Sequence, residues 1–258
     1  MTAPRISGVG VMVPARDEQD TIRDCLRALR TAMRGLPTDV EPAVCVVADR
    51  CADATAAAAA EEFGGWTAAR VVVNSAELTI GEVRNLGLRH VCAELAGHRP
   101  ERVWLLSTDA DTVVAPDWIR AHLRHARTGA HAVAGVAELT GHAQLPGALV
   151  RRYAHVLARA VRPEGHGNVY AANLGVRADA YQAVGGFGAV PTGEDHDLWG
   201  RLGEAGFHCH YTERARVRTS ARRVGRATGG LSDLLSELDS AEPGTGPYEK
   251  PEKWVSLI

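Results

Sequence analysis

The chain has 258 residues, and its 29 Lys plus Arg against 31 Asp plus Glu give a formal net charge of -2, with no global positive field to gather nucleic acid. A chain this long buries about 70 to 75 per cent of its unfolded surface and needs no staples, and its five cysteines, Cys25, Cys45, Cys51, Cys92 and Cys209, are odd in number and form no CxxC pair, which argues against a disulfide framework and a zinc site. No apolar stretch approaches the roughly 18 to 20 residues that span a bilayer, and MTAPRISGVG lacks the charged start and long apolar centre of a signal peptide, so a cytoplasmic protein without a transmembrane segment is expected.

Short β-branched runs alternate with helical patterns along the first half. GVGVMV precedes DTIRDCLRALRTAM, AVCVVA precedes ADATAAAAAEEF, RVVV precedes TIGEVRNLGLRHVCAEL, and RVWLLS precedes PDWIRAHLRHAR. This alternation predicts a parallel sheet covered by helices on both faces. Thr79 with Glu82 three residues on reads as a helix cap, and Pro116 followed by Asp117 reads as a first helical turn. From HAVAGVAEL the pattern loosens into a strand, a helix across 145–160, and a Gly-rich stretch carrying NVYAANLGVR, VGGF and GEDHDLWGRL. Such a stretch reads as loops and short elements packed on the same sheet, where recognition residues sit. The tail from Ala241, AEPGTGPYEKPEKW, is rich in Pro and Gly and is expected to be poorly ordered.

In an open parallel sheet, ligands bind outside the carboxyl ends of the strands. Charged residues collect there: Arg16, Asp17 and Glu18 after the first strand, Asp49 and Asp53 after the second, and Asp109 and Asp111 after the fourth, where LLSTDADT ends an apolar run. Carboxylates gathered on one edge repel one another unless a cation or a hydrogen-bonding ligand is present. Helix caps and solvated loop charges account for Asp53 and Asp117. A D-x-D pair suits Mg2+ or Mn2+, which take hard oxygen ligands and keep positions open for water and phosphate oxygens. Two carboxylates are too few for an all-protein cage, so the missing ligands are most naturally a diphosphate.

VMVPARDEQDTI, VVADRCADAT, GEVRNLG, STDADT, AANLGVR, VGGF and GEDHDLWGRL, in this order over about residues 8–210, resemble the family 2 glycosyltransferases. The resemblance implies an α/β chain with the GT-A fold: a Rossmann-like, mostly parallel sheet flanked by helices, with a looser acceptor-binding C-terminal half. One domain over 1–240 is expected, a nucleotide-binding half at about 8–128 and an acceptor half at about 129–240, followed by a flexible tail at 241–258. The implied activity is transfer of a sugar, a hexose by expectation, from a UDP- or GDP-linked donor to an unidentified acceptor, aided by Mn2+ or Mg2+.

Carried over position by position, the resemblance makes Pro14, Ala15, Arg16 and Glu18 line the nucleotide pocket, and Asp49 contact the base. Arg84 would face the nucleotide or diphosphate, unless it is an ordinary helix-surface charge. Asp111 would bind the metal directly, with Asp109 beside it near the ribose or the metal waters. Asp17 stands where many relatives have Asn. Asp195 would be the base of an inverting transfer, with Glu194 and Asp197 in support, although a carboxylate at a helix start can also be a plain cap. Asn173 and the loop of Gly185, Gly186 and Phe187 match positions around the donor sugar and acceptor, while the glycines equally permit a tight turn. Trp199 would stack on the acceptor sugar or, as the stronger expectation, pack in the core. His166 would meet metal or acceptor, or be structural.

Residues 213–226, ERARVRTSARRVGR, hold six arginines. Arg214, Arg216 and Arg218 alternate and would share a solvated strand face. Arg222 and Arg226 are four apart and would share a helix face that clamps the diphosphate; a basic face for a phosphorylated acceptor or for peripheral contact with anionic lipid is the equal alternative. Two rival enzymes share parts of the pattern. LLSTDADTVV fits the D-x-D-x-[TV] nucleophile motif of haloacid-dehalogenase-like phosphatases, with Asp109 phosphorylated and Asp111 as acid and base, but the only lysines, Lys250 and Lys253, lie in the tail. A sugar-phosphate nucleotidyltransferase would also need a Gly-rich first loop and a working lysine. The remaining rival is a binding subunit that keeps the nucleotide-sugar pocket without turnover.

Overall fold

The apolar runs become strands buried on both faces, the arrangement expected of a parallel sheet under two helical layers. A computed structural model describes residues 4–140, 146–159, 166–220 and 231–240. In chain order these form β1 (Gly8–Ala15), α1 (Ile22–Arg34), β2 (Glu41–Asp49), α2 (Thr55–Glu62), β3 (Ala69–Asn74), α3 (Ile80–Glu94), β4 (Val103–Ser107), β5 (Thr112–Val114), α4 (Trp118–Arg127) and β6 (Ala132–Thr140). The second half adds α5 (Gly147–Arg159), β7 (Leu174–Arg177), α6 (Ala178–Ala183), α7 (Glu194–Glu204), β8 (Cys209–Ser220) and α8 (Leu231–Ser240). The tail at 241–258 lies outside the described residues.

One eight-stranded sheet runs in the order β3-β2-β1-β4-β7-β6-β8-β5. Strands β3, β2, β1 and β4 are mutually parallel, β7 is antiparallel to both β4 and β6, and β8 is parallel to β6. The register sets one row across the sheet, Met12 beside Ser107, Ser107 beside Leu174, Leu174 beside Ala134, and Ala134 beside Tyr211. One face packs on α1 and α4 through Val11, Leu26, Leu29, Trp118 and Ile119; the other packs on α3, α6 and α7 through Met12, Val83, Val91, Tyr181 and Leu198. Each such side chain, taken fully out of water, contributes about 1.5 to 3 kcal/mol.

Thr79 and Glu82 form the expected capping box of α3, the Glu82 N–H donating to Thr79 Oγ1 and the Thr79 N–H to Glu82 Oε2 at 2.8 Å. The start of α4 differs from expectation. The Trp118 N–H closes a turn on the Ala115 carbonyl at 2.9 Å, so Pro116 and Asp117 form a turn ahead of the helix, and Asp117 makes no side-chain cap. Strand β5 is an element that local pattern does not show: its three residues pair antiparallel with β8, Thr112 beside Thr219, more than a hundred residues later in the chain. The D-x-D segment is therefore a bridge between two strands of one sheet rather than a free strand tip. Among the described residues no helix is long and apolar enough to cross a membrane.

Candidate active site

Pro14 and Ala15 end β1, buried, and Arg16 follows them half-buried. The Arg16 guanidinium meets the carboxylate of Asp49 at the end of β2, and its Nε donates to the Asp49 carbonyl at 3.3 Å. Asn74 Nδ2, at the end of β3, donates to the other oxygen of Asp49 at 2.7 Å. Three parallel strand ends thus orient one buried carboxylate. Glu18 is buried too: its N–H donates to Thr55 Oγ1 at 2.7 Å, and the Thr21 hydroxyl donates to its Oε2 at 2.7 Å. Asp17 and Arg50 take positive φ, 53° and 48°, a conformation that costs a non-glycine residue free energy and needs local support. The Ala52 N–H supplies some of it by donating to Asp17 Oδ1 at 2.7 Å. Asp53, two residues ahead of Thr55, accepts from the Thr55 N–H at 2.9 Å and ties down the preceding loop through the Gln19 N–H at 3.1 Å.

Arg84 is the hub between the strand ends and α7. It is buried, and its three nitrogens donate to Glu194 Oε1 at 3.1 Å, Ser107 Oγ at 2.7 Å and Asp109 Oδ1 at 2.8 Å. The helix-surface reading is thereby excluded. Burial works against its charge, but Asp109 and Glu194 more than offset this and hold the guanidinium above its ordinary pKa. Asp109 keeps its side chain 34% exposed. Asp111 is half-buried, with the Thr112 and Thr219 hydroxyls each donating to its Oδ1 at 3.4 Å.

Gly193 opens α7 with φ 76°, and Glu194, Asp195 and Asp197 fill its first turn, where the helix macrodipole favours negative charge. Asp195 is buried: its Oδ2 accepts from the Ala171 N–H at 2.9 Å and its Oδ1 from the His196 N–H at 2.8 Å. Burial raises the Asp195 pKa above the usual carboxylate value, and these backbone donors oppose the rise. Burial and then the charge of Asp195 raise Glu194 likewise, against the pull of Arg84. The two neighbours are held differently, Glu194 by a guanidinium and Asp195 by neutral N–H groups.

Other expected residues fall outside this network. Asn173 is fully buried, and its amide is engaged at Oδ1 by Trp118 Nε1 (2.7 Å) and His122 Nε2 (3.1 Å) and at Nδ2 by the carbonyls of Val136 (2.8 Å) and Ala215 (2.9 Å). It locks α4 to β6 and β8. Gly186 is buried with φ 75° beside Tyr181 and Asn85, and its carbonyl accepts from Arg201 at 2.7 Å, so its geometry is that of a turn in the framework. Asp197 pairs with Arg201 at 2.6 Å. Trp199 is half-buried, packing on the core with its ring 5.0 Å from that of Tyr211. His166 has both ring nitrogens engaged, by the Ala134 carbonyl at 3.2 Å and the Asn168 N–H at 3.1 Å, and burial lowers its pKa, so it is a neutral structural group. Arg214, Arg216 and Arg218 lie exposed along β8, with Arg216 on Glu138 at 2.6 Å. Arg222 and Arg226 lie outside the described residues.

Sequence reasoning missed Ser107 and Asn74, which aim Arg84 and Asp49. The signal for Ser107 was a polar residue ending an otherwise apolar strand. A divalent ion fits the D-x-D pair by donor chemistry. Among the described residues the only three-member group of His, Cys, Asp and Glu with converging donor atoms is Asp17, Cys51 and Asp53, so within them no third such ligand converges with Asp109 and Asp111.

The description "Glycosyltransferase like family 2" matches residues 4–228. Among solved structures, the mannosyltransferase PcManGT from Pyrobaculum calidifontis, in complex with GDP-Man and Mn2+, is similar with a TM-score of 0.63 at 18% identity, covering 92% of this chain and 70% of that one. S. aureus TarS 1-349 in complex with UDP-GlcNAc is similar with a TM-score of 0.58 at 14% identity, covering 92% of this chain and 62% of that one. The chain thus spans less than two thirds of the TarS structure. At these identities the likeness is one of fold, the GT-A arrangement of a curled, mostly parallel sheet between helical layers. No curated protein matches the sequence.

Proposed function

The chain belongs to glycosyltransferase-like family 2, and from that premise we propose that it transfers a sugar from a nucleoside-diphosphate donor to an acceptor hydroxyl, with Asp195 as the base of an inverting displacement. The observation that carries this reading is the Arg84 hub, which joins the D-x-D aspartate Asp109 (2.8 Å) and the α7 carboxylate Glu194 (3.1 Å) within one network. Residues 1–240 act as one unit, 8–128 holding the donor and 129–240 the acceptor. The nucleotide lies across the ends of β1 and β2, its base against Asp49, with Pro14, Ala15, Arg16 and Glu18 shaping the pocket. The diphosphate end lies at Asp109 and Asp111. Asp111, with Asp109, would hold Mn2+ or Mg2+, which when bound neutralises charge on a departing diphosphate.

Asp195 takes the proton of the acceptor hydroxyl as its oxygen attacks the anomeric carbon; the bond to the diphosphate oxygen breaks on the opposite face, and the configuration inverts. Burial makes Asp195 a stronger base than an exposed carboxylate, and general base catalysis of this kind contributes about 10²- to 10⁴-fold. Arg84 donates to Glu194 Oε1 and opposes its protonation, leaving Asp195 as the carboxylate that takes the proton. The donors bound in the PcManGT and TarS complexes, GDP-Man and UDP-GlcNAc, are the first to try. In a thermal-shift titration with Mn2+, a donor at about 100 times its Kd stabilises by about 2.7 kcal/mol, a rise of roughly 5 to 11 °C for a domain of this size. The wild type should show this rise with at least one sugar nucleotide, and Asp111→Ala should lose its metal-dependent part. No rise with any UDP- or GDP-sugar, with or without metal, would overturn the reading.

A further inference from the structure

The outer face of α4 carries one kind of side chain. Trp118, Ile119, Ala121, His122, Leu123 and Ala126 are buried, and the fully exposed positions are Arg120, Arg124 and Arg127. Neighbouring elements extend the charge. Arg120 reaches the end of α1, where a Cβ on Gly35 would lie 3.6 Å from its guanidinium carbon, next to the exposed Arg34. On the other side, exposed Arg214 of β8 acts with Arg124 on His125: after burial and the charge of His210, these two arginines lower its pKa. Exposed arginines elsewhere find acids, Arg23 on Glu61 at 2.5 Å, Arg27 on Glu62 at 2.6 Å and Arg216 on Glu138 at 2.6 Å. Among the described residues, Arg34, Arg120, Arg124, Arg127 and Arg214 make no ion pair.

A helix dipole favours cations in the last turn, which accounts for Arg124 and Arg127 but for neither Arg120 nor Arg214. Asp117 and Glu213, the acids beside them in the chain, are two against five and leave the face positive, although the whole chain carries -2. Charge without an apolar contact selects the partner. Protein interfaces draw affinity from aromatic and apolar anchors in desolvated pockets, and α4 keeps Trp118, Ile119 and Leu123 inside. Among the described residues the large hydrophobic side chain that stands exposed is Val73, on β3 at the opposite edge of the sheet. Single-stranded nucleic acid is held by rings that stack on its bases, and α4 exposes none; duplex binders are basic as whole domains, which this chain is not. A bilayer of anionic lipid asks only for basic charge within a Debye length of its surface, and its headgroups move sideways to meet a fixed set of arginines.

We infer that the outer face of α4, flanked by Arg34 and Arg214, docks the chain on an anionic phospholipid bilayer by charge alone, with no side chain inserted. This goes beyond the transferase reading and does not depend on it.

The test pellets the full chain with sucrose-loaded vesicles of phosphatidylcholine alone, or with about 30% phosphatidylserine, at about 0.1 M and about 0.5 M NaCl. The chain should bind the phosphatidylserine vesicles at low salt, leave them at high salt, and ignore pure phosphatidylcholine. At about a fivefold gain per basic residue near the surface, the combined Arg120→Gln, Arg124→Gln and Arg127→Gln variant should bind about 100-fold more weakly. The same three positions changed to Lys keep the charge and should bind within a few-fold of the wild type. All three side chains are exposed, so the melting temperature should hold; if the Gln triple variant fails to fold, Arg124→Gln alone carries the test, with a loss of about fivefold. No binding to phosphatidylserine vesicles overturns the inference, and so does wild-type binding by the Gln variants. Loss of binding by a folded Lys variant overturns it too, since the face would then read arginine geometry rather than meet a charged surface. Retention on poly(U) at a salt that frees the chain from vesicles would assign the face to nucleic acid and overturn it as well.

Discussion

Replacing Arg84 by Met tests the hub directly. The wild-type guanidinium joins Glu194, whose side chain is 9% exposed, to Asp109, whose side chain is 34% exposed. Removing one member of a buried pair costs about 3 to 5 kcal/mol, because the partner is left buried and unpaired. The Asp109 half adds little, since an exposed carboxylate is rehydrated. Almost all of the loss therefore sits on Glu194, which burial and Asp195 already push toward protonation. In the variant the folded-state pKa of Glu194 rises further. A carboxylate with a raised folded pKa destabilises nothing below its unfolded pKa, near 4.3, and its penalty grows as pH rises through the folded value. Urea denaturation should thus give a loss of about 3 to 5 kcal/mol at pH 8 that shrinks toward pH 4.5. Equal losses at both pH values would mean that Arg84 only fills space, and a loss below about 1 kcal/mol at pH 8 would refute the hub.

Two further outcomes follow from the packing. Burial lowers the pKa of His122 from 6.5 to about 4, so its contribution to stability is fully present above pH 6.5 and is lost as pH falls from there toward 4, by about 3 kcal/mol; denaturation of His122→Gln should lack that share of the acid-side slope. Gly81 opens the α3 end that faces the loop ahead of α7, and a Cβ there would run into the Gly188 carbonyl. Gly81→Ala should therefore lose about 1 to 3 kcal/mol in the same denaturation assay, and full stability would show that this loop has room to move.

The strands and helices of the first half were legible because burial on both faces leaves uninterrupted β-branched runs, and Thr79 with Glu82 carries its cap in four residues. Strand β5 was not, because a three-residue strand is defined by its partner, here Thr219, far along the chain. Asp109 and Asp111 stood out by chemistry alone. Arg84 could not be told from a surface arginine, since its burial is set by Glu194, 110 residues away. The framework contacts of Asn173 were hidden for the same reason: a lone amide in a Gly-rich stretch gives no sign that Trp118, His122, Val136 and Ala215 will bond to it. The phosphatase reading of LLSTDADT gives way to the family match and to an Asp109 oxygen that accepts from a buried arginine.

The central claim is that Asp195 removes the acceptor proton while the donor is held elsewhere, at the β-strand ends. Asp195→Asn separates the two, because the amide keeps the shape and can still accept from the Ala171 N–H. Turnover of the nucleotide sugar that stabilises the wild type, measured with acceptor at saturating donor, should fall by about 10²- to 10⁴-fold, while the thermal shift given by donor with Mn2+ stays at the wild-type value. Turnover within a few-fold of wild type, at unchanged donor binding, would contradict the assignment of the base.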